Sequence, residues 1–274
     1  MASDVQRDVD VLAVTTRSRL KSARFFASMV HANARIKRQL AATEGSLRFA
    51  SVVMSPMEFW TISLWRSRDS MQEFVRAGAH QDLMWNFSHW FRSFWLMRWS
   101  PGSEEEGTWG NMRLARGRSI PPPAQTNDLR RSPLAAIPHL FEAIGSDGAP
   151  CYENAPEVRR KRLRVAGCVG ATLRIESSAA GGTAIVLRHL RAMRARLRES
   201  DALSYAIGVA GPREAYALLV FRSMDAWNRF NESADLDRIR DWWGDSLWCM
   251  RWDAEHEFGH WDGVRFRHSR LGAP

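Results

Sequence analysis

Two stretches of this chain, "WRSRDSMQEF" at 65–74 and "FRSMDAWNRF" at 221–230, superpose when the sequence is shifted by 156 residues. Arg66, Ser67, Asp69 and Phe74 then fall on Arg222, Ser223, Asp225 and Phe230. The shift holds upstream without a gap, setting Glu58 on Glu214, Val53 on Val209, Ala50 on Ala206, Leu47 on Leu203 and Arg35 on Arg191. Downstream it falls to 153, and "FWLMRW" meets "LWCMRW" with Trp95, Met97, Arg98 and Trp99 on Trp248, Met250, Arg251 and Trp252. One more deletion sets Trp109, Arg113 and Arg118 on Trp261, Arg265 and Arg270. Self-similarity of this length means one structural unit made twice, which dictates architecture before any propensity is weighed.

Each copy reads as a short set of elements. "VDVLAVTTRS" alternates apolar and polar residues as a half-buried strand does. "SARFFASMVHANARIKRQLAATEG" carries Phe25, Phe26, Met29, Val30, Ile36 and Leu40 near helical spacing, with Gly45 just past its end. "SLRFASVVMS" and "EFWTISLWRS" are strands joined by a turn at "SPM". "SRDSMQEFVRAG" opens a helix on Ser67 or Asp69, and a further helical run to about Phe91 leads into the strand "FWLMRWS". The order is βαββαβ, the ferredoxin-like split unit. Its two helices cover one sheet face and leave the other bare. Two such sheets bury their bare faces together, so the expected fold is α+β: tandem ferredoxin-like repeats closing an intrachain pseudo-dimeric α/β barrel of eight strands. The repeats span 10–118 and 164–270. A Pro-rich basic linker at 119–163 separates them, too long for a plain loop. After each copy, "NMRLARGRS" and "VRFRHSR" read as extra edge strands, and "EHEFGH" (255–260) as a polar turn.

Composition narrows the function. The chain of 274 residues is 45% apolar and 25% charged, which suits a globular core and not a disordered chain. Its 13 tryptophans all fall between Trp60 and Trp109 or between Trp227 and Trp261, so they belong to the repeats. Cys151, Cys168 and Cys249 form no CxxC pair and read as reduced thiols of a cytoplasmic protein. The N-terminus lacks a signal-peptide pattern, and no apolar run is long enough for a membrane span. The net charge of +9 comes largely from "RRKRLR" and from the helix "RHLRAMRARLRES". There the arginines oppose an apolar stripe, as on a solvated helix face, and no motif for specific nucleic-acid binding accompanies them.

With "LWRSRDSMQEF", "SHWFRSFWLMRW" and "EGTWGNMRL" in view, the chain resembles the dimeric α/β-barrel superfamily of antibiotic-biosynthesis monooxygenases and haem-degrading enzymes. Within it the likeness is greatest to spheroidene monooxygenase-like proteins. It covers nearly all of 10–118 and, more loosely, 166–270. It implies an oxidoreductase of the haem-dependent monooxygenase type acting on a small, largely apolar metabolite of secondary metabolism, with a redox partner supplying electrons. A cofactor-free monooxygenase and a non-catalytic ligand-binding or scaffold barrel are the alternatives. Association into a homodimer stays open.

Haem b needs an axial ligand on a rigid element and an apolar slot. His89, among Met84, Trp85, Phe87, Trp90 and Phe91 just ahead of the fourth strand, is the expected metal ligand. Trp85 and Trp90 would be walls of the slot. Its counterpart Trp242 cannot ligate, which implies one working site. His80, opposite Leu236, is a second candidate, as ligand or as acid–base catalyst. Arg98 alternates with Trp95 and Trp99 and could clamp a carboxylate or a haem propionate, with Arg113 serving similarly at the rim. No phosphate loop, GxSxG elbow or HExxH motif is present.

Overall fold

The computed structural model describes residues 11–116, 167–177 and 182–261. The expected linker at 119–163 and the edge strand "VRFRHSR" lie outside them. The first half runs β1 (Leu12–Leu20), α1 (Phe26–Ala42), β2 (Ser46–Ser55), β3 (Glu58–Trp65), α2 (Arg68–Val75), α3 (Gly78–Trp85), α4 (Phe87–Trp90) and β4 (Phe91–Glu106). The second runs β5 (Val169–Glu176), α5 (Gly182–Glu199), β6 (Ala202–Gly211), β7 (Glu214–Phe221), α6 (Met224–Asn231), α7 (Ala234–Trp243) and β8 (Leu247–Gly259). Ser67 caps α2 by accepting from the Ser70 amide at 3.2 Å, and Ser223 caps α6 from the Ala226 amide at 3.3 Å. Each cap answers an amide the helix leaves orphaned, an effect of about 1 kcal/mol.

The strands close an antiparallel barrel in the order β1-β3-β2-β6-β7-β5-β8-β4. The two seams between halves are unequal. β2 meets β6 at Val53↔Val209, whereas β4 pairs with β8 from Trp95↔Gly259 to Glu106↔Cys249. Gly107 and Gly259 end the long seam at φ +71° and +75°, each with its Cα close on the facing strand's carbonyl (Leu247 and Phe94), where a Cβ would collide.

Inside the barrel the halves repeat one another. The Trp99 indole donates to Thr15 Oγ1 at 2.7 Å, and that of Trp252 to Thr172 Oγ1 at 3.0 Å. Trp95 donates to Glu257 at 2.8 Å and Trp248 to Glu105 at 2.9 Å, each indole reaching a carboxylate of the opposite half. Arg17 pairs with Glu58 and Arg174 with Glu214, at matching ends. Trp60, Trp95, Trp99, Trp248 and Trp252 are fully buried. An indole burying about 150–250 Å² contributes at most about 4–6 kcal/mol, and leaving its N–H unpaired would cost about 1–3 kcal/mol of that. Trp95, Trp99, Trp248 and Trp252 are all paired in this way, while the Trp60 indole N–H is buried with no partner among the described residues. The barrel interior is therefore a packed and largely hydrogen-bonded core whose architecture the tryptophans supply.

Several expectations need correction. "EHEFGH" is not a turn, because β8 runs on through it to Gly259. Of the first edge strand, the described part at 111–116 holds only a Trp109↔Met112 bridge. The further helical run to Phe91 is two short helices, α3 and α4, and not one. Finally, the facing residues give β1 and α1 a shift of 157, since Thr15 matches Thr172 and Met29, Asn33, Ile36 and Leu40 match Val186, Leu190, Met193 and Leu197. The second half is one residue shorter between this helix and the next strand.

Candidate functional site

Side chains alternate along a strand, so those adjoining the interior tryptophans face the helices. In the first half they do not fill the space beneath the helices. A cavity of about 370 Å³ lies there, within the range of small-molecule sites. Its floor is Val14, Thr16 and Ser18 of β1 with Phe59, Thr61, Ser63 and Trp65 of β3. Its roof is Met29, Asn33, Ile36 and Leu40 of α1 with Met71, Phe74, Val75, His80, Leu83 and Met84 of α2 and α3. Phe94, Leu96 and Arg98 of β4 and His256 and Phe258 of β8 close one side.

The same layer of the second half is closed by its own side chains. The floor positions of Thr16, Ser18, Thr61 and Ser63 are taken there by Leu173, Ile175, Ala217 and Leu219, all at most 2% exposed. Trp227 stands where Met71 does and Leu236 where His80 does, at 1% and 0% exposed. The first half thus carries a row of hydroxyls under an open space, held together by a Thr16–Thr61 hydrogen bond of 2.8 Å and by Trp65 donating to Ser63 at 2.9 Å.

His80 is the most constrained polar group of the roof. Its Nδ1 lies 3.2 Å from the Val75 carbonyl. A carbonyl only accepts, so Nδ1 carries the proton and the lone pair of a neutral ring is on Nε2. Burial pulls the imidazole below its ordinary pKa, outweighing the Val75 bond, which raises it. Nε2 has no partner among the described residues. Gln39 of α1 fixes the segment: its amide donates to the Phe74 and Ala77 carbonyls at 3.0 and 2.7 Å, and its carbonyl accepts from the His80 amide at 2.9 Å. The equivalent of Gln39 is Arg196, which pairs with Asp235, so the clamp is peculiar to the first half. Sequence reasoning missed Gln39, whose only signal is that mismatch.

Arg98 turns outward, away from the interior that Trp99 occupies, and stands at the cavity's side. Its Nε donates to Glu255 at 2.7 Å; Ser100 also donates to Glu255, and Arg68 lies 3.5 Å away. Burial pushes the Glu255 carboxyl up, but the Ser100 and Arg98 bonds and the two arginine charges hold it below its ordinary value.

The other expected site residues stand elsewhere. His89 lies within α4 on an exposed surface, its ring edge-on to Phe25 at 5.2 Å, outside the cavity wall. The chain breaks for one residue at Asn86 between α3 and α4, and His89 lies on the side away from the cavity-lining His80, Leu83 and Met84. Trp90 packs on the cluster of Leu20, Phe25, Met29, Phe59 and Phe91. Arg113 is exposed beyond the Trp109 turn, and the side chain of Trp85 lies outside what the structure describes. Among the described residues no cluster of His, Cys, Asp and Glu could hold a metal by itself, and no helix is long and apolar enough to cross a membrane. Cys249 is buried, and burial pushes its thiol up to about 12, which leaves it inert as a nucleophile.

Fold and site together define the class: a closed eight-stranded α+β barrel with one open helix–sheet layer. No family model and no curated protein sequence matches the chain. Among solved structures it is similar to an aldoxime dehydratase, at 10% identity and TM-score 0.53, over 93% of this chain and 84% of that one. The aldoxime dehydratase OxdRE in complex with butyraldoxime is similar at 12% identity and TM-score 0.52, over 89% and 79%. SnoaB, a cofactor-independent oxygenase from Streptomyces nogalater, matches 32% of this chain and 90% of its own at 13% identity, with a TM-score of 0.28. At these identities the likeness to the dehydratases is one of fold.

Proposed function

We propose that the first-half cavity is the active site of a monooxygenase-like enzyme acting on a small, largely apolar metabolite, with His80 holding a haem b. The observation carrying this reading is the anchored tautomer of His80: a neutral imidazole with Nδ1 tied to a backbone carbonyl and its Nε2 lone pair left for the cavity. That is how a protein prepares a histidine for an iron. The donor set fits the group. The walls are mainly apolar, the ligand rides on a roof clamped by Gln39, and Arg98 and Arg68 supply positive charge at one side.

Bound there, haem would supply the oxygen chemistry that no side chain of the cavity provides. The chain's own part is to bind and orient. The aromatic and aliphatic walls exclude water. The hydroxyls of Thr16, Ser18, Thr61 and Ser63 offer the floor's few hydrogen bonds to a substrate, and a redox partner would deliver electrons. His89 does not serve as ligand in this reading, because it does not reach the cavity.

A second reading has its own support. A neutral imidazole beside a row of hydroxyls can take a proton from an acidic, electron-rich aromatic substrate, as a cofactor-free oxygenase would require. The two halves, 10–118 and 164–270, are taken as copies of one ferredoxin-like unit joined through 119–163. The matched Trp–Thr and Trp–Glu bonds support this.

Reconstitution with haemin separates the readings. A Soret band is expected in the wild-type chain and in His89→Ala, lost in His80→Ala and restored there by added imidazole. A wild-type chain that stays colourless overturns the haem reading and leaves the cofactor-free one.

A further inference from the structure

We infer that the substrate of this cavity is an apolar acid, whose single carboxylate is received by Arg98 with Arg68 beside it. The inference rests on the cavity being the substrate site, though not on the haem. Equivalent arginines of the two halves are treated differently. In the second half Arg251 is only 8% exposed and meets two carboxylates, Glu104 at 3.2 Å and Asp253. Arg116 adds a second cation there at 3.2 Å from Asp253, so two positive and two negative charges cancel. In the first half Arg98 and Arg68 share one carboxylate, Glu255, which leaves the cavity's side with a surplus positive charge.

Geometry agrees with the charge count. Arg98 is 21% exposed and uses Nε for Glu255, so its two terminal nitrogens have no partner among the described residues. A guanidinium with that edge open is shaped for a second carboxylate. Next to it Leu96, Phe94 and Phe258 begin the apolar wall, and across β1 the floor hydroxyls follow: Ser63 is in register with Arg98 through Val14, and Thr16 and Ser18 lie alongside Leu96 and Phe94. A molecule with one anionic end and an uncharged, mostly apolar body matches this gradient. A dianion does not, because Glu255 already answers part of the charge.

The test compares decanoate with methyl decanoate by titration calorimetry on the haem-free chain. The acid is expected to bind at least about 10-fold tighter than the ester, the scale of a hydrogen bond to a charged group. Arg98→Gln should erase that preference while leaving ester affinity unchanged, which also shows that the variant is folded. Glu255→Gln should act oppositely, tightening the acid several-fold by removing the resident competitor. Equal affinities in the wild-type chain, or a preference that survives Arg98→Gln, overturns the inference and leaves the cavity reading standing. Binding of neither ligand overturns both. A repeat on haem-loaded protein assigns the anion site: a retained preference supports a substrate carboxylate, whereas its disappearance gives Arg98 to a haem propionate and overturns the inference.

Discussion

The two helix–sheet layers of this barrel lie over sheets of the same strand order, yet one is packed shut and the other encloses about 370 Å³. The difference comes from a handful of positions: Thr16, Ser18, Thr61, Ser63, Met71 and His80 against Leu173, Ile175, Ala217, Leu219, Trp227 and Leu236. Small or polar groups stand in the first half where large apolar ones stand in the second. The interior between the sheets remains alike in both, with paired Trp–Thr and Trp–Glu hydrogen bonds. A closed core and a filled second layer can carry the fold, which frees the first layer to be imperfectly packed.

The largest expected effect probes that division of labour. Trp227→Ala removes a buried indole from the filled layer and should cost about 3–5 kcal/mol of unfolding free energy in a urea titration. Met71→Ala, at the equivalent place beside an existing cavity, should cost no more than about 2 kcal/mol, the low end for such truncations. Equal losses would mean that the two layers contribute alike to stability.

A smaller effect concerns His80 and acid. Burial lowers its folded pKa below the ordinary 6.5, so the unfolded chain binds the proton more readily. The stability from a neutral His80 is present above that value and is lost as pH falls through it toward the folded pKa. His80→Leu copies Leu236 and removes this contribution. Between pH 7 and pH 5 the variant should lose less stability than the wild-type chain, as read from parallel urea titrations. An identical pH dependence would show that the ring is not held neutral.

Much of this was legible in the residues and some was not. The strands, their pairing into a closed barrel with helices outside, and the architectural role of the tryptophans all follow from two-residue alternation and from the shifted match of "FWLMRW" with "LWCMRW". The placement of His89 does not follow. It sits in the most aromatic run of the chain, yet at helical spacing it falls on the face opposite His80, Leu83 and Met84, and aromatic company alone does not orient a side chain. The break at Asn86 is a tertiary choice that spacing does not announce. The row of Thr16, Ser18, Thr61 and Ser63 was present in the alignment as polar-against-apolar mismatches. It was blurred for β1 because the match there runs at 157 and not 156. Gln39 was hidden for the same reason, since only the corrected shift sets it against Arg196.

Methionines report directly on which layer is open. Met29, Met71 and Met84 line the cavity, whereas Met193 is fully buried in the filled layer and Met224 lies at its edge beside Arg251. With methyl-labelled methionine, an NMR titration of the haem-free chain with methyl decanoate reads all of them at once. Shifts concentrated at Met29, Met71 and Met84, with Met193 and Met224 unmoved, are expected if the first-half layer is the binding site. Shifts at Met193 equal to those at Met71, or none at the three cavity methionines while the ligand binds, would contradict it.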